Sequence, residues 1–278
     1  MDDSIDPNRK VAINVWYRHV LIAIYPLSPM LIVGSLLAGI SIYIIAAAMI
    51  IPFIIMTIMG YVILLRPLEL ESEEHERDLK KVFYNLIPII VAPIIDLIGR
   101  IVFNLEYPEI FLLIGLTLSI WLALLFSKMP IASIKSIAQK MRIWRFPLLI
   151  IAIFLFLAVF IRSGLPEDIG SLKLPFIIFI FLGFILGYAT GRVQLPLSIL
   201  VPIYLVQNSV FIMPLIDFIF IYWASFLGYI VTPVHPCVAY SVNYFKVDYK
   251  NVLKFLALPT FTCFAILLGF YGIAFFIG

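Results

Sequence analysis

A chain of 278 residues with 64% hydrophobic and 13% charged residues cannot clothe a water-soluble globule of its size, since ordinary soluble domains are about 45–50% apolar and about 25% charged. The mean hydropathy of +1.13 points the same way. Disorder, collagen and nucleic-acid binding are excluded too, because the net charge is only +3 and the cations lie at the edges of apolar runs. What remains is an all-α polytopic membrane protein whose first partner is the lipid bilayer.

The chain opens with Asp2, Asp3 and Asp6. A cleavable signal starts basic and ends in small residues, so residues 1–19 are expected to stay as a cytoplasmic or interfacial segment ahead of a transmembrane domain over 20–278. Ionisable residues then gather in short stretches: Arg66 to Lys81, Lys128 to Arg145, Arg162 to Lys173 and Lys246 to Lys254. The apolar runs between them have about the 20 residues that a helix needs to cross a hydrocarbon core. They predict spans near 20–39, 41–65, 82–103, 109–127, 146–161, 174–189, 211–231 and 252–277. Segment 192–210 is a ninth embedded piece, giving about 8–9 membrane-embedded helices with interrupted or re-entrant segments.

The charged loop 66–81 carries an acidic run from Glu69 to Asp78 that reads as a solvated helical loop with Glu73–Arg77 and Glu76–Lys80 pairs. In 128–145, Ile131, Ile134, Ile137, Met141 and Trp144 recur at helical spacing opposite Lys135, Gln139, Arg142 and Arg145. That pattern predicts an amphipathic helix lying in the interface plane, its cations toward anionic headgroups. Alternating the spans collects Arg9, Lys10 and Arg18, then Arg66 to Lys81, then Lys128 to Arg145 on one side. Only Arg100, Arg162 and Lys173 fall on the other, so the first side and the N-terminus are expected in the cytoplasm of a cell-membrane protein.

Polar groups at membrane depth are costly and mark function or pairing. Asp96 has Arg100 one helical turn on, so an intrahelical pair and a functional role both account for it. Asp217 stands among Ile216, Phe218 and Ile219 without such a neighbour. It is a candidate site residue, although a cation such as Arg192 on another segment would also explain it. Gln207, Asn208 and Ser209 form a polar cluster at the end of 192–210, a segment open to two readings, a re-entrant hairpin or a full span. Pro26 and Gly39 in the first span are echoed by Pro259 and Gly272 in the last, which favours the hairpin. The charge rule applied to Lys246, Lys250 and Lys254 favours the full span.

The most informative stretch runs from Gly228 to Ser241. Pro233 and Pro236 lack amide donors, so the carbonyls of Tyr229 and Thr232 lose their helical partners. Irregular backbone at membrane depth is tolerated where it is buried in protein or lines a cavity. Discontinuous helices of this kind form the sites of secondary transporters. A plain proline kink is the competing reading, and His235 between the two prolines favours a site. His235 and Thr232 are therefore candidate side-chain ligands for a solute or coupling ion at the break. Metal binding by His235 and Cys237 is the weaker option, because two ligands one residue apart do not make a zinc site. No metal or cofactor is expected, and no catalytic motif is present.

The run Gly183 to Gly191, the segment Thr232 to Phe245 with its Pro-x-His-x-Cys element, and the opening Asn14-Val-Trp-Tyr-Arg-His-Val resemble one group. It is an uncharacterised prokaryotic integral-membrane family, domain-of-unknown-function family 401, of the ion-transporter superfamily. The resemblance implies a two-repeat secondary transporter with hairpins and interrupted helices around a midplane site. By motif the implied positions are Thr232, Pro233, His235 and Cys237, with Asn208 and Ser209 at a hairpin tip. Such families carry an earlier half with a Met-Pro-Gly-Gly-type break, which is not seen before Arg18. A second membrane chain supplying that half, or a homo-oligomer, is the expected partner. The function expected is a secondary transporter, or a subunit of one, moving a small anionic solute with H+ or Na+. A non-transporting assembly subunit and a membrane-embedded enzyme are the alternatives.

Overall fold

A computed structural model describes residues 5–68, 79–103, 105, 107–141 and 143–277. The described chain is helical, and it divides into two units, one comprising Met1–Leu70 with Ala152–Gly278 and the other Glu71–Ile151. Helices α1 (Pro7–Ile22), α2 (Pro29–Ala38), α3 (Ile42–Ala48) and α4 (Ile50–Gly60), the last continued by a π-helical turn at Tyr61–Leu65, open the first unit. The second unit holds α5 (Leu79–Val102), α6 (Glu109–Ser127), α7 (Ala132–Met141) and the start of α8 (Arg145–Arg162). The first unit resumes through α9 (Leu165–Gly170), α10 (Phe176–Thr190), α11 (Gln194–Asn208), α12 (Leu215–Val231), α13 (Pro236–Phe245) and α14 (Tyr249–Ile277).

Among the described residues, five apolar helical stretches are long enough to cross a membrane: Ile42–Leu65, Val82–Val102, Glu109–Ser127, Leu215–Phe245 and Tyr249–Phe276. Their outward faces stay apolar, as with Ile101, Phe83 and Phe276, which is the surface a lipid bilayer requires. Three further apolar helices, Pro29–Ala38, Pro147–Arg162 and Phe176–Thr190, are shorter. A helix of 15 residues is about 22 Å long, short of a hydrocarbon core of about 30 Å. The expected run over 20–39 is divided. Asp6 caps α1 by accepting from the Asn8 amide, Pro7 starts the helix, and it continues through the supposed interfacial segment to Ile22. Ser28 then caps α2, with Pro29 in its first turn, and the turn between them contains Pro26, which cannot donate to a helix.

Segment 192–210, for which hairpin and full span both stood open, forms the single helix α11, ended by Ser209 at φ 54°. In the second unit α5 and α6 pack together, and Arg100 Nε reaches Asp96 Oδ2 at 2.9 Å on a carboxyl that is almost wholly buried. The pairing of Asp96 with Arg100 expected from their spacing is present, with Glu109 a further 3.8 Å from the same guanidinium. The amphipathic segment forms α7, shorter than 128–145, with Ile131, Ile134 and Ile137 exposed. The acidic run Glu69 to Asp78 and Arg142 lie outside the described residues.

Two features of the first unit place the site. Helices α10 and α12 touch backbone to backbone: a methyl on Gly187 would stand 2.1 Å from the Ser225 carbonyl oxygen, and one on Gly228 would stand 2.1 Å from that of Phe184. Small residues allow this approach, the usual basis of helix association in membranes. Helix α1 packs against α4, α12, α13 and α14, burying Val15, Trp16, His19 and Val20. Trp16 Nε1 donates to the Met56 carbonyl at 3.0 Å.

Candidate functional site

The helix that begins at Leu215 stops at Val231 and restarts at Pro236. Thr232 caps the first half in extended backbone (φ −80°, ψ 139°) and His235 precedes the second (φ −67°, ψ 119°). Both conformations follow from the next residue, since a proline ring clashes with a helical predecessor. The groups loosened by the break find partners close by. The Val234 amide donates to Thr232 Oγ1 at 3.3 Å, the His235 amide to the Thr232 carbonyl at 3.5 Å, and the Tyr249 hydroxyl to the Val231 carbonyl.

His235 is 1% exposed, and neither of its ring nitrogens has a hydrogen-bond partner among the described residues. Beside it stands His19 of α1, fully buried, with the two ring centroids 4.5 Å apart at 77°. Nδ1 of His19 lies 2.5 Å from the Val15 carbonyl oxygen, a contact that puts the ring proton on that nitrogen. Nε2 is thereby left as a bare lone pair, and it too has no partner among the described residues. Burial, the largest influence, takes His19 below its ordinary value to about 4; the Val15 bond opposes the fall and the Arg18 charge adds to it. The His19 imidazole is therefore neutral at neutral pH. Cys237, half-buried in the first turn of α13, completes a group in which the ligand atoms of His19, His235 and Cys237 lie within 4.8 Å of one another.

The surroundings are aromatic and positive. The Tyr229 ring sits 4.1 Å from that of His235, centroid to centroid. The exposed cations Arg18 and Arg192 are near enough for their charge to act on the His235 ring. Gly191 ends α10 at φ +61°, and a methyl there would meet the Val234 carbonyl carbon at 3.2 Å and the His235 amide nitrogen at 3.3 Å. The end of α10 thus abuts the break directly.

Asp217 lies elsewhere. It occupies the first turn of α12, and the helical rise puts about 22 Å between it and Thr232. Its neighbour is the Tyr204 hydroxyl, which donates to Oδ2; Arg192 is not its partner but stands near His235. Asp217, Tyr204, Gln207 and Asn208 line a cavity of about 400 Å³ together with Phe176, Phe220 and Tyr271. Two of these polar groups are occupied within the fold. Gln207 exchanges two bonds with the Leu174 backbone, both 2.9 Å, and Asn208 Nδ2 donates to the Tyr204 carbonyl. Ser209 serves as the left-handed cap of α11.

The candidate residues thus form two groups at opposite ends of α12, with Thr232, Pro233, His235 and Cys237 at one end and Asp217, Gln207, Asn208 and Ser209 at the other. His19 was not among the candidates. A lone histidine in a mixed helix carries no signal of its own, and its proximity to His235 is tertiary.

An all-helical membrane protein with a buried, proline-interrupted helix is the class that this architecture defines. Residues 1–273 match the family described as protein of unknown function DUF401. The chain belongs to that family. No curated protein and no solved structure matches it.

Proposed function

We propose that the chain is a secondary transporter, or a subunit of one, that moves a small anionic solute coupled to H+ or Na+ through the break between α12 and α13. The observation that carries this reading is the break itself: irregular backbone beside the buried imidazole of His235, which has no hydrogen-bond partner among the described residues and on which the Arg18 and Arg192 charges act. Non-helical backbone at membrane depth is kept where it serves a cavity or a ligand, and interrupted helices hold the substrates of secondary transporters. The two cations favour an anion over a cation as the solute. The cavity at Asp217 offers a carboxyl as the coupling group. Kinship with the ion-transporter superfamily, a place in the cell membrane with the N-terminus in the cytoplasm, and a second copy or second membrane chain as partner all belong to this reading.

The test is uptake into proteoliposomes of the purified chain under an imposed H+ or Na+ gradient, across a library of small anions. Saturable uptake is expected for the native chain, and His235→Ala is expected to fall to the level of empty vesicles. Equal uptake by the native chain, His235→Ala and Asp217→Ala would dismiss both ends of α12 as transport sites.

A further inference from the structure

We propose that His19, His235 and Cys237 bind one transition-metal ion of the imidazole- and thiolate-preferring class, Zn2+ or Cu+, between α1 and the start of α13. The assignment shares the break with the transport reading and stands without it. Three observations converge. Buried polar atoms in folded proteins are nearly always hydrogen-bonded, yet Nε2 of His19 and both ring nitrogens of His235 have no partner among the described residues. One ring nitrogen from each histidine and the Cys237 sulfur lie within 4.8 Å of one another. And His19 is already set up as a ligand, since its other nitrogen is engaged by the Val15 carbonyl, the backbone contact that fixes tautomer and ring direction in metal-bound histidines.

The geometry is near what an ion needs. Bonds of about 2.0–2.1 Å to nitrogen and about 2.3 Å to sulfur place ligand atoms about 3.3–3.8 Å apart around a shared centre. The group must tighten by about 1 Å at its widest to meet these spacings. Three protein ligands leave a fourth position open, as in catalytic and exchange sites rather than closed structural ones.

Charge narrows the choice. Alkaline-earth ions prefer oxygen donors, and this donor set holds none. A thiolate and Cu+ make a neutral centre, which suits a buried site. Zn2+ leaves one excess positive charge, which an anion in the fourth position would cancel. The competing use of the two rings is a direct hydrogen bond between them, which needs no metal and no cysteine.

The experiment uses the full chain, purified in detergent and freed of metal by chelation. Zn2+, Cu+ under reducing conditions, Co2+ as a spectroscopic stand-in, and Mg2+ as a control are titrated separately. One Zn2+ or Cu+ is expected per chain, and Co2+ is expected to give a thiolate charge-transfer band. His19→Ala, His235→Ala and Cys237→Ser are each expected to weaken binding by at least about tenfold, with Cys263→Ser and Mg2+ as controls showing no effect. A second measurement needs no variant: bound metal is expected to slow maleimide labelling of Cys237 in the native chain, mapped by mass spectrometry, with Cys263 unchanged. Absence of binding in the Zn2+, Cu+ and Co2+ arms, or binding with Cys237 labelled at its metal-free rate, would overturn the assignment. Because no transport is measured, either result leaves the transport reading to its own test.

Discussion

A methyl group at position 228 tests how much of the site is held by backbone contact between two helices. In Gly228→Ala the new Cβ would stand 2.1 Å from the Phe184 carbonyl oxygen and 2.9 Å from the Tyr188 amide nitrogen. Both atoms belong to the backbone of α10, so no side chain can swing away, and α10 and α12 must part by about 1 Å to reach ordinary contact distances. Overpacking of this kind costs about 1–3 kcal/mol. Replacing a helical glycine by alanine returns about 0.5–1 kcal/mol, so the expected net loss is about 1–2 kcal/mol. Gly269 in α14 supplies the opposite case, because a methyl there meets nothing within 4 Å and only the conformational gain remains. The assay is the apparent midpoint of thermal unfolding of the detergent-purified chain. Gly228→Ala is expected below the native chain and Gly269→Ala at or above it. The first variant is also expected to weaken ligand binding at His235, because α10 ends against that residue through Gly191. Shifts of the same sign in both variants would refute the reasoning.

Removing one hydroxyl probes the break from the side of α14: Tyr249→Phe takes away the donor to the Val231 carbonyl and is expected to cost about 1–3 kcal/mol, read as a lower unfolding midpoint. In the second unit, Arg100→Ala takes from the buried Asp96 the guanidinium at 2.9 Å. It should destabilise more than the double change Asp96→Leu with Arg100→Leu, since removing one member of a buried pair costs more than replacing both by apolar groups. Equal midpoints for the two would show that the pair carries no weight. Gln207→Leu leaves the Leu174 amide and carbonyl without the two side-chain bonds they now receive, and limited proteolysis is expected to cut near Leu174 sooner than in the native chain.

Much of the helical layout could be read from where charge is missing. Runs poor in ionisable residues produced α5, α6 and α14 near the expected bounds, because in lipid a helix is the local way to satisfy every backbone group. The break at Thr232 to His235 was legible for a similarly local reason, as a proline dictates both its own amide and its predecessor's backbone. Position 20–39 misled, since hydropathy does not register that Pro26, Ser28 and Pro29 together end one helix and begin another. The separation of Asp217 from His235 also lay beyond the sequence. Both are isolated polar residues in one apolar stretch, and only the straightness of α12 keeps them apart. His19 was hidden most completely, its ring meeting His235 through the packing of α1 on α13, which no spacing encodes.

Helix α1 is clamped along its whole length to the end of the Ile42–Leu65 stretch. Arg9 holds the Leu64 and Ile63 carbonyls, at 3.0 and 3.4 Å, in the π-helical turn. Trp16 and Tyr17 grip the carbonyls of Met56 and Thr57, and His19 follows within the next turn. Between Arg9 and His19 lie about 15 Å of continuous helix with no glycine or proline to bend it. The helix is therefore a stiff spacer: it fixes how far the imidazole stands from the Tyr61–Leu65 turn, and both are referenced to the same stretch of chain.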